Sequence, residues 1–224
     1  MALEYLEDTF TKYPCRDKLL RVCQYAAIFY DGALVEPRNG RLLMVRRFIT
    51  KDKSESTAAR VSSSISAARL VFRLLNTPAT LCNVKNIYQK WNENDSNHEL
   101  FAFALDALEC LASLAYNPVE QLSWAGQVSK LFDSPRREWL SIWCTKLWIM
   151  LLIINIMRSW RLLRTVYKSG EWKMPVLSLV QDIADLINAI HFLPAGFLWS
   201  SRLPTILVGL LGMISSSIAL YKVL

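Results

Sequence analysis

The 224-residue chain is 53% hydrophobic, with a mean hydropathy of +0.21 and a net charge of +7. An apolar content this high argues against an ordinary water-soluble protein, and the positive charge favours an anionic partner, either nucleic acid or a membrane surface. The positive hydropathy favours the membrane, so no nucleic-acid partner is expected. The five cysteines are scattered without a CxxC pair, which argues against a metal site or a disulfide framework.

Residues 1–135 are predicted to form an amphipathic, all-helical region. Apolar residues recur at helical spacing, strand alternation is nowhere convincing, and the sequence contains neither GxGxxG nor a P-loop. The first ten residues hold three acidic side chains and no apolar run follows them, so no secretory signal is expected. The predicted helices start at Pro14 and are interrupted from Gly32, then run over about 57–75, 79–91 and 98–116, the last ending before Pro118.

Two later segments are predicted to cross a membrane. The first, at 136–160, is apolar apart from Lys146, which lies close enough to one end to reach the headgroups. A helix lying in the membrane interface is the alternative for this segment. The second, at 203–221, is uncharged and about 28 Å long as a helix, close to the hydrocarbon thickness of a bilayer. Residues 222–224 then form a short tail, and two spans place both termini on the same side.

Residues 161–202 are predicted to connect the two spans and to include an amphipathic helix. Asp182 and Asp185 share one face of this helix, whereas His191 lies roughly 240° around it from Asp185. Acid–base chemistry needs partners within hydrogen-bond distance, so we expect no catalytic pair here and no enzyme.

Small residues recur along one face of the second predicted span. Such a face lets helix backbones approach closely in lipid, and it is expected to pack on the first span or on another subunit. The predicted helix-packing residues are Thr205, Gly209, Gly212, Ser216 and Ala219.

Three ordered blocks of the sequence resemble the peroxisomal membrane protein 11 family, and most closely its gamma subtype. The block RDKLLRVCQYAAIFYDGALVE is similar to the opening helix of that family, and YNPVEQLSWAG is similar to its middle. The block VLSLVQDIADLINAIHFLPAGFLWSSRLPTILVGLLGMISS is similar to its C-terminal part. The resemblance covers nearly the whole chain. It agrees with an all-α integral membrane protein that has amphipathic N-terminal helices and two transmembrane helices.

The resemblance implies a multi-pass protein of the peroxisomal membrane, with residues 1–135 and both termini facing the cytosol. Its implied function is to elongate and tubulate the membrane, so that peroxisomes divide and proliferate. The implied partners are membrane lipids, further copies and sister subtypes in homo- and hetero-oligomers, the fission adaptor with dynamin-type machinery, and the import receptor for peroxisomal membrane proteins. No cofactor is implied. A pore or metabolite conduit is the alternative function, and it would need polar side chains that face a lumen.

In the resembled family, membrane remodelling is attributed to a basic amphipathic helix ahead of the first span, and its match here is residues 57–76. An apolar stripe inserted beneath the headgroups expands one leaflet, while arginines hold the helix to anionic lipid. Leu70 and Leu74 interrupt the polar face, so packing within a helical bundle is the alternative. The predicted membrane-remodelling residues are Arg60, Val61, Ile65, Ala68, Arg69, Phe72, Arg73 and Leu75.

Overall fold

The computed structural model describes residues 13–39, 56–73, 77–92, 100–129, 132–167 and 170–224. Helices make up 87% of these described residues, which contain no strand, so the predicted all-α fold is confirmed. In chain order the helices are α1 (Tyr13–Asn39), α2 (Thr57–Arg73), α3 (Thr77–Asn92), α4 (Leu100–Ser129), α5 (Ser134–Val166), α6 (Lys173–His191) and α7 (Thr205–Tyr221).

The chain divides into two compact units. Unit 1 comprises Met1–Arg69 and Ile183–Leu224, and unit 2 comprises Leu70–Asp182. The boundaries therefore fall within α2 and within α6, and each unit is built mainly from helices that pack side by side.

In unit 1, α1 and α7 pack against each other through glycines. A side-chain carbon added at Gly32 of α1 would lie 2.5 Å from the backbone nitrogen of Ile206, and one added at Gly209 of α7 would lie 2.5 Å from the backbone of Phe29. The predicted interruption of α1 at Gly32 is therefore wrong. The glycine permits a close approach between two backbones, and α1 continues to Asn39.

The predicted helix end before Pro118 is also wrong, because α4 continues through this proline to Ser129. A proline removes one backbone donor and strains the preceding turn. Two side-chain hydrogen bonds from α4 to α3 lie on either side of it. Asn117 donates to Thr80 over 2.7 Å, and Gln121 donates to Thr77 over 2.9 Å.

Helices α4 and α5 form the main contact within unit 2. Arg158 of α5 forms an ion pair with Asp106 of α4 over 2.7 Å. Three residues of these helices form a buried apolar cluster, namely Leu105, Ala112 and Ile154.

Two of the described helices, α4 and α5, are long and apolar enough to cross a membrane. Only 11% and 17% of their apolar stretches are buried, so they are not the enclosed core helices of a soluble protein. Helix α5 contains the predicted first span. Helix α4 lies in the region predicted to be amphipathic, and its apolar stretch is longer than predicted. The second predicted span corresponds to α7, an apolar helix of 17 residues.

Candidate membrane-facing site

Helix α2 begins at a polar contact with α1. The hydroxyl of Ser56 accepts a hydrogen bond from the backbone N–H of Ala59 over 3.1 Å, which caps the helix, and donates to the carboxylate of Asp31. Asp31 is buried, so this contact fixes the start of α2 against α1.

The other end of α2 is held to α1 by Arg69. Its guanidinium donates to Asp17 over 2.9 Å and to the side-chain oxygen of Gln24 over 2.9 Å. The side chains of Arg69 and Asp17 are only 10% and 8% exposed. Arg69 was predicted to face lipid headgroups, but the carboxylate of Asp17 draws it inward to form a buried ion pair.

The two contacts show that α2 runs antiparallel to α1. Asp31 and Asp17 lie 14 residues apart on α1, and their partners Ser56 and Arg69 lie 13 residues apart in the reverse order. Both separations correspond to about 20 Å along a helix. The polar side of α2 therefore faces α1, and its other side points away from it.

The apolar stripe of α2 is exposed where the structure describes it. Val61 is 47% exposed and Phe72 is 54% exposed. Ala68 is exposed as well, and Ile65 is half-buried. This distribution is the reverse of that in a soluble bundle, where apolar residues face the core and arginines face water.

The remaining predicted residues near α2 differ in their surroundings. Arg60 is exposed beside Val61. Arg73 forms an ion pair with Glu120 of α4 over 3.1 Å. Leu75 lies outside the described residues.

The predicted packing face of α7 faces α1. Gly209 lies against the backbone of Phe29, and Gly212 lies against the ring of Tyr25. Ser216 is buried, and its hydroxyl donates to the carbonyl of Gly212 over 2.6 Å. Of the two remaining positions on this face, Ala219 is buried and Thr205 is half-buried. The partner helix within the chain is therefore α1, where the first span or another subunit was predicted.

Helix α6 also turns its polar side inward. Asp185 accepts a hydrogen bond from Arg21 of α1 over 2.6 Å, and their side chains are 4% and 12% exposed. Asn188 is fully buried and donates to the backbone carbonyl of Val208 over 3.2 Å. The shared face of Asp185 and Asn188 could be recognised from the sequence, but the partner Arg21 lies 164 residues away and could not.

The turn between α6 and α7 is held by His191. Its Nδ1 accepts a hydrogen bond from the backbone N–H of Leu203 over 3.2 Å. Burial lowers the pKa of this imidazole from its ordinary value of 6.5, because the charged form is poorly solvated there. His191 therefore makes a structural contact, with its imidazole in the neutral form.

Several residues that the sequence analysis did not select hold unit 1 together. Each carries a polar side chain that contacts another helix of the unit or the start of α2. They are Asp17, Arg21, Gln24, Asp31 and Ser56. Within the described ranges, no group of three or more His, Cys, Asp or Glu side chains could hold a metal ion.

Comparison with known proteins shows to which family this arrangement belongs. The profile of Peroxisomal biogenesis factor 11 (PEX11) matches residues 3–173 and 168–224, which together make up almost the entire chain. The chain belongs to the PEX11 family. It is 29% identical over 242 residues to "Peroxisomal membrane protein 11C" of Homo sapiens, covering 99% of this chain and 94% of that protein. It is also 29% identical to the Mus musculus protein of the same name over 236 residues, covering 96% and 91%.

No solved structure matches the chain. The predicted resemblance to the gamma subtype of this family is confirmed by the two relatives. As a PEX11 protein, the chain is a peroxisomal membrane protein that takes part in peroxisome biogenesis and division.

Proposed function

We propose that this PEX11 protein shapes the peroxisomal membrane through the exposed apolar side of α2. The observation that carries the proposal is the orientation of this helix. Ser62 and Arg69 are buried, whereas Val61 and Phe72 are exposed. An exposed apolar stripe on a helix that is fixed at both ends is available to acyl chains.

The physical mechanism follows from this orientation. Insertion of the stripe beneath the headgroups of one leaflet increases the area of that leaflet, and the membrane relieves the difference by curving. Arg60 is exposed beside Val61 and would bind anionic headgroups, which contributes about 1 kcal/mol per basic residue. Arg69 and Arg73 instead hold the helix to the protein, since both form ion pairs with carboxylates. Repeated insertion by many copies would elongate a peroxisome before its division.

The proposal is tested by expressing full-length variants in cells and measuring the length of peroxisomes. Val61→Glu places a charge in the apolar stripe, at an estimated cost of roughly 2–3 kcal/mol against insertion. Ser63→Glu, at an exposed position on the opposite side of the same helix from the stripe, is the matched control. Both variants should reach peroxisomes. Only Val61→Glu should fail to elongate them, and elongation by both would refute the role of the stripe.

A conduit is the second candidate function, and one observation favours it. A groove of about 150 Å³ lies between α4 and α5 beside Leu70 of α2, and five of its eight lining residues are polar. A pore would need such groups at membrane depth. Conductance of the purified protein in planar bilayers would support this candidate, and its absence at high protein density would exclude it. The polar residues of the lining are Glu120, Ser123, Gln127, Ser141 and Thr145, and the others are Leu70, Trp124 and Cys144.

A further inference from the structure

We propose that the connection between α6 and α7 inserts its tip, residues 192–198, into the headgroup region of the membrane as a rigid apolar anchor. The side chains that insert are those of Phe192, Phe197 and Leu198. The proposal requires that the protein reside in the membrane, and it is independent of any curvature-generating activity of α2. It concerns the connection alone, so it places neither α1 nor α2 within the hydrocarbon.

The first observation is that the tip is apolar and exposed. Phe192 is 45% exposed, Phe197 is 54% exposed and Leu198 is 59% exposed, and Pro194 between them is exposed as well. Residues 192–201 carry no charged side chain. Because connections between helices are normally polar, an exposed apolar cluster of this kind indicates a contact with a membrane or with another protein.

The second observation is that hydrogen bonds close the tip into a fixed loop. Ser200 is only 2% exposed, and its hydroxyl donates to the backbone carbonyl of Pro194 over 2.8 Å. The same hydroxyl accepts a hydrogen bond from the backbone N–H of Phe197 over 3.2 Å. The apolar side chains of the tip are therefore carried by a loop of defined shape.

The base of the loop is fastened to α6. The indole N–H of Trp199 donates to the backbone carbonyl of Ile187 over 3.0 Å. The backbone N–H of Ser201 donates to the carbonyl of His191 over 2.9 Å. The chain thus returns to the protein directly after Leu198, and this side chain stays outside.

The backbone of the loop is strained at two residues. Leu198 has a φ of 46° and Ser201 has a φ of 58°, in the left-handed region that side chains other than glycine rarely adopt. Strain of this kind persists only where surrounding contacts enforce it, and it is concentrated at functional sites. The hydrogen bonds of Trp199 and Ser200 enforce it here, so the exposure of Leu198 is a built feature of the fold.

The charge beside the tip identifies its occupant as a lipid leaflet. Arg202 is exposed, and the sequence contains no acidic residue from position 186 to its end. An arginine at the edge of an apolar surface binds lipid phosphates while the apolar side chains enter the leaflet. A second copy of the chain fits less well, because a symmetric contact at this loop would bring two Arg202 side chains together.

The irregular backbone limits how deep the tip can lie. Peptide groups outside a helix need water or protein partners, and the hydrocarbon offers neither. Residues 192–204 are not helical, apart from the hydrogen bonds already described. The tip is therefore expected among the headgroups and the first carbons of the acyl chains.

The first test measures the depth of a fluorescent label in the full-length protein reconstituted into liposomes of phosphatidylcholine and phosphatidylserine. Leu198→Cys carries an environment-sensitive fluorophore, and Glu171→Cys, in the exposed α5–α6 connection, is the aqueous control. Quenching is measured with iodide in the water and with lipids spin-labelled near the headgroup or near the chain end. The accessible native cysteines are replaced by serine. These are Cys23, Cys82 and Cys144, whereas Cys15 and Cys110 are buried and stay.

The proposal predicts a blue-shifted label at Leu198→Cys that iodide quenches less than the control. Lipids spin-labelled near the headgroup should quench it more than lipids labelled near the chain end. Iodide quenching equal to that of Glu171→Cys would overturn the proposal. Protection from iodide without quenching by either lipid would also overturn it, since a protein would then cover the tip. Stronger quenching by the chain-end label would overturn the interfacial depth.

The second test asks whether the apolar side chains hold the loop in the membrane. The label is moved to Phe192→Cys, and Phe197→Ser with Leu198→Ser should increase its quenching by iodide and decrease its quenching by lipid. Val180→Ser with Ile183→Ser removes side chains that are 43% and 42% exposed on α6, and this matched control should leave the label unchanged. An equal change in both proteins, or no change in either, would overturn the anchor.

Discussion

Arg69 shows how one residue couples the candidate membrane helix to the rest of the unit. Replacement by alanine would leave Asp17 buried without its guanidinium, and the loss of one partner of a buried pair costs roughly 3–5 kcal/mol. We therefore expect Arg69→Ala to lower the free energy of unfolding by about this amount, measured with denaturant in detergent micelles.

The exposed Arg60→Ala provides the control for Arg69→Ala, since surface substitutions change stability by about 0.5 kcal/mol or less. The double variant Arg69→Leu with Asp17→Leu should recover much of the loss, because it removes both charges of the buried pair. Equal effects of Arg69→Ala and Arg60→Ala would contradict the buried ion pair.

His191 gives the structure a defined pH dependence. The pKa of the folded state lies below the unfolded value of 6.5, so the neutral imidazole is favoured by folding. Its contribution to stability is complete above pH 6.5 and is lost as the pH falls through the lower folded pKa. Unfolding measurements should show that wild type loses more stability than His191→Gln on acidification from above pH 6.5 to about one unit below it. A parallel loss in both proteins would exclude His191 as the source.

At the scale of single residues, the sequence predicted which polar side chains share one face of a helix, but it did not predict which groups they contact. The polar face of α6 was visible in the spacing of Asp185 and Asn188, because three residues span nearly one helical turn. The inward orientation of Arg69 was not visible, since it depends on Asp17, which lies 52 residues away on another helix.

The contact between α1 and α7 can be tested at Gly209. A methyl group there would lie 2.5 Å from the backbone of Phe29, so the helices would have to separate. Overpacking of this kind costs about 1–3 kcal/mol, and we expect Gly209→Ala to reduce the free energy of unfolding by that amount. Crosslinking between copies of the chain should remain unchanged, because this face is occupied within the protein.

Ser217→Ala, on the exposed side of α7, is the matched control for Gly209→Ala. If α1 and α7 were not in close contact, Gly209→Ala would raise the free energy of unfolding, because alanine is a better helix former than glycine by about 1 kcal/mol. The sign of the change in stability therefore decides whether the contact exists. A gain in stability for Gly209→Ala would show that α1 and α7 are not in close contact.

The helices themselves could be predicted from apolar periodicity, but their ends depend on neighbouring helices. Gly32 does not end α1 because the backbone of α7 occupies the space where a side chain would lie. Pro118 does not end α4, and the side chains of Asn117 and Gln121 on either side of it donate hydrogen bonds that hold this part of α4 to α3. Glycine and proline are local signals for a helix end, and in both places tertiary contacts outweigh them.

At the scale of the whole molecule, the family, the all-helical fold and the first apolar span were all predicted from the sequence. What could not be predicted is which side of each amphipathic helix faces the protein. The same spacing of apolar and polar residues fits two orientations of a helix. In the first the apolar side faces the rest of the protein, and in the second the polar side does. The structure selects the second for α2, through Asp17 and Asp31.

The most direct test of the account measures tubulation of anionic liposomes by the purified full-length protein, observed by electron microscopy. Phe72→Glu and Leu81→Glu introduce the same charge at side chains that are 54% and 55% exposed, the first in the stripe of α2 and the second on α3. Circular dichroism should show that both variants keep their helix content. The account predicts tubules with wild type and with Leu81→Glu and none with Phe72→Glu. Tubules of normal number and diameter with Phe72→Glu would contradict it.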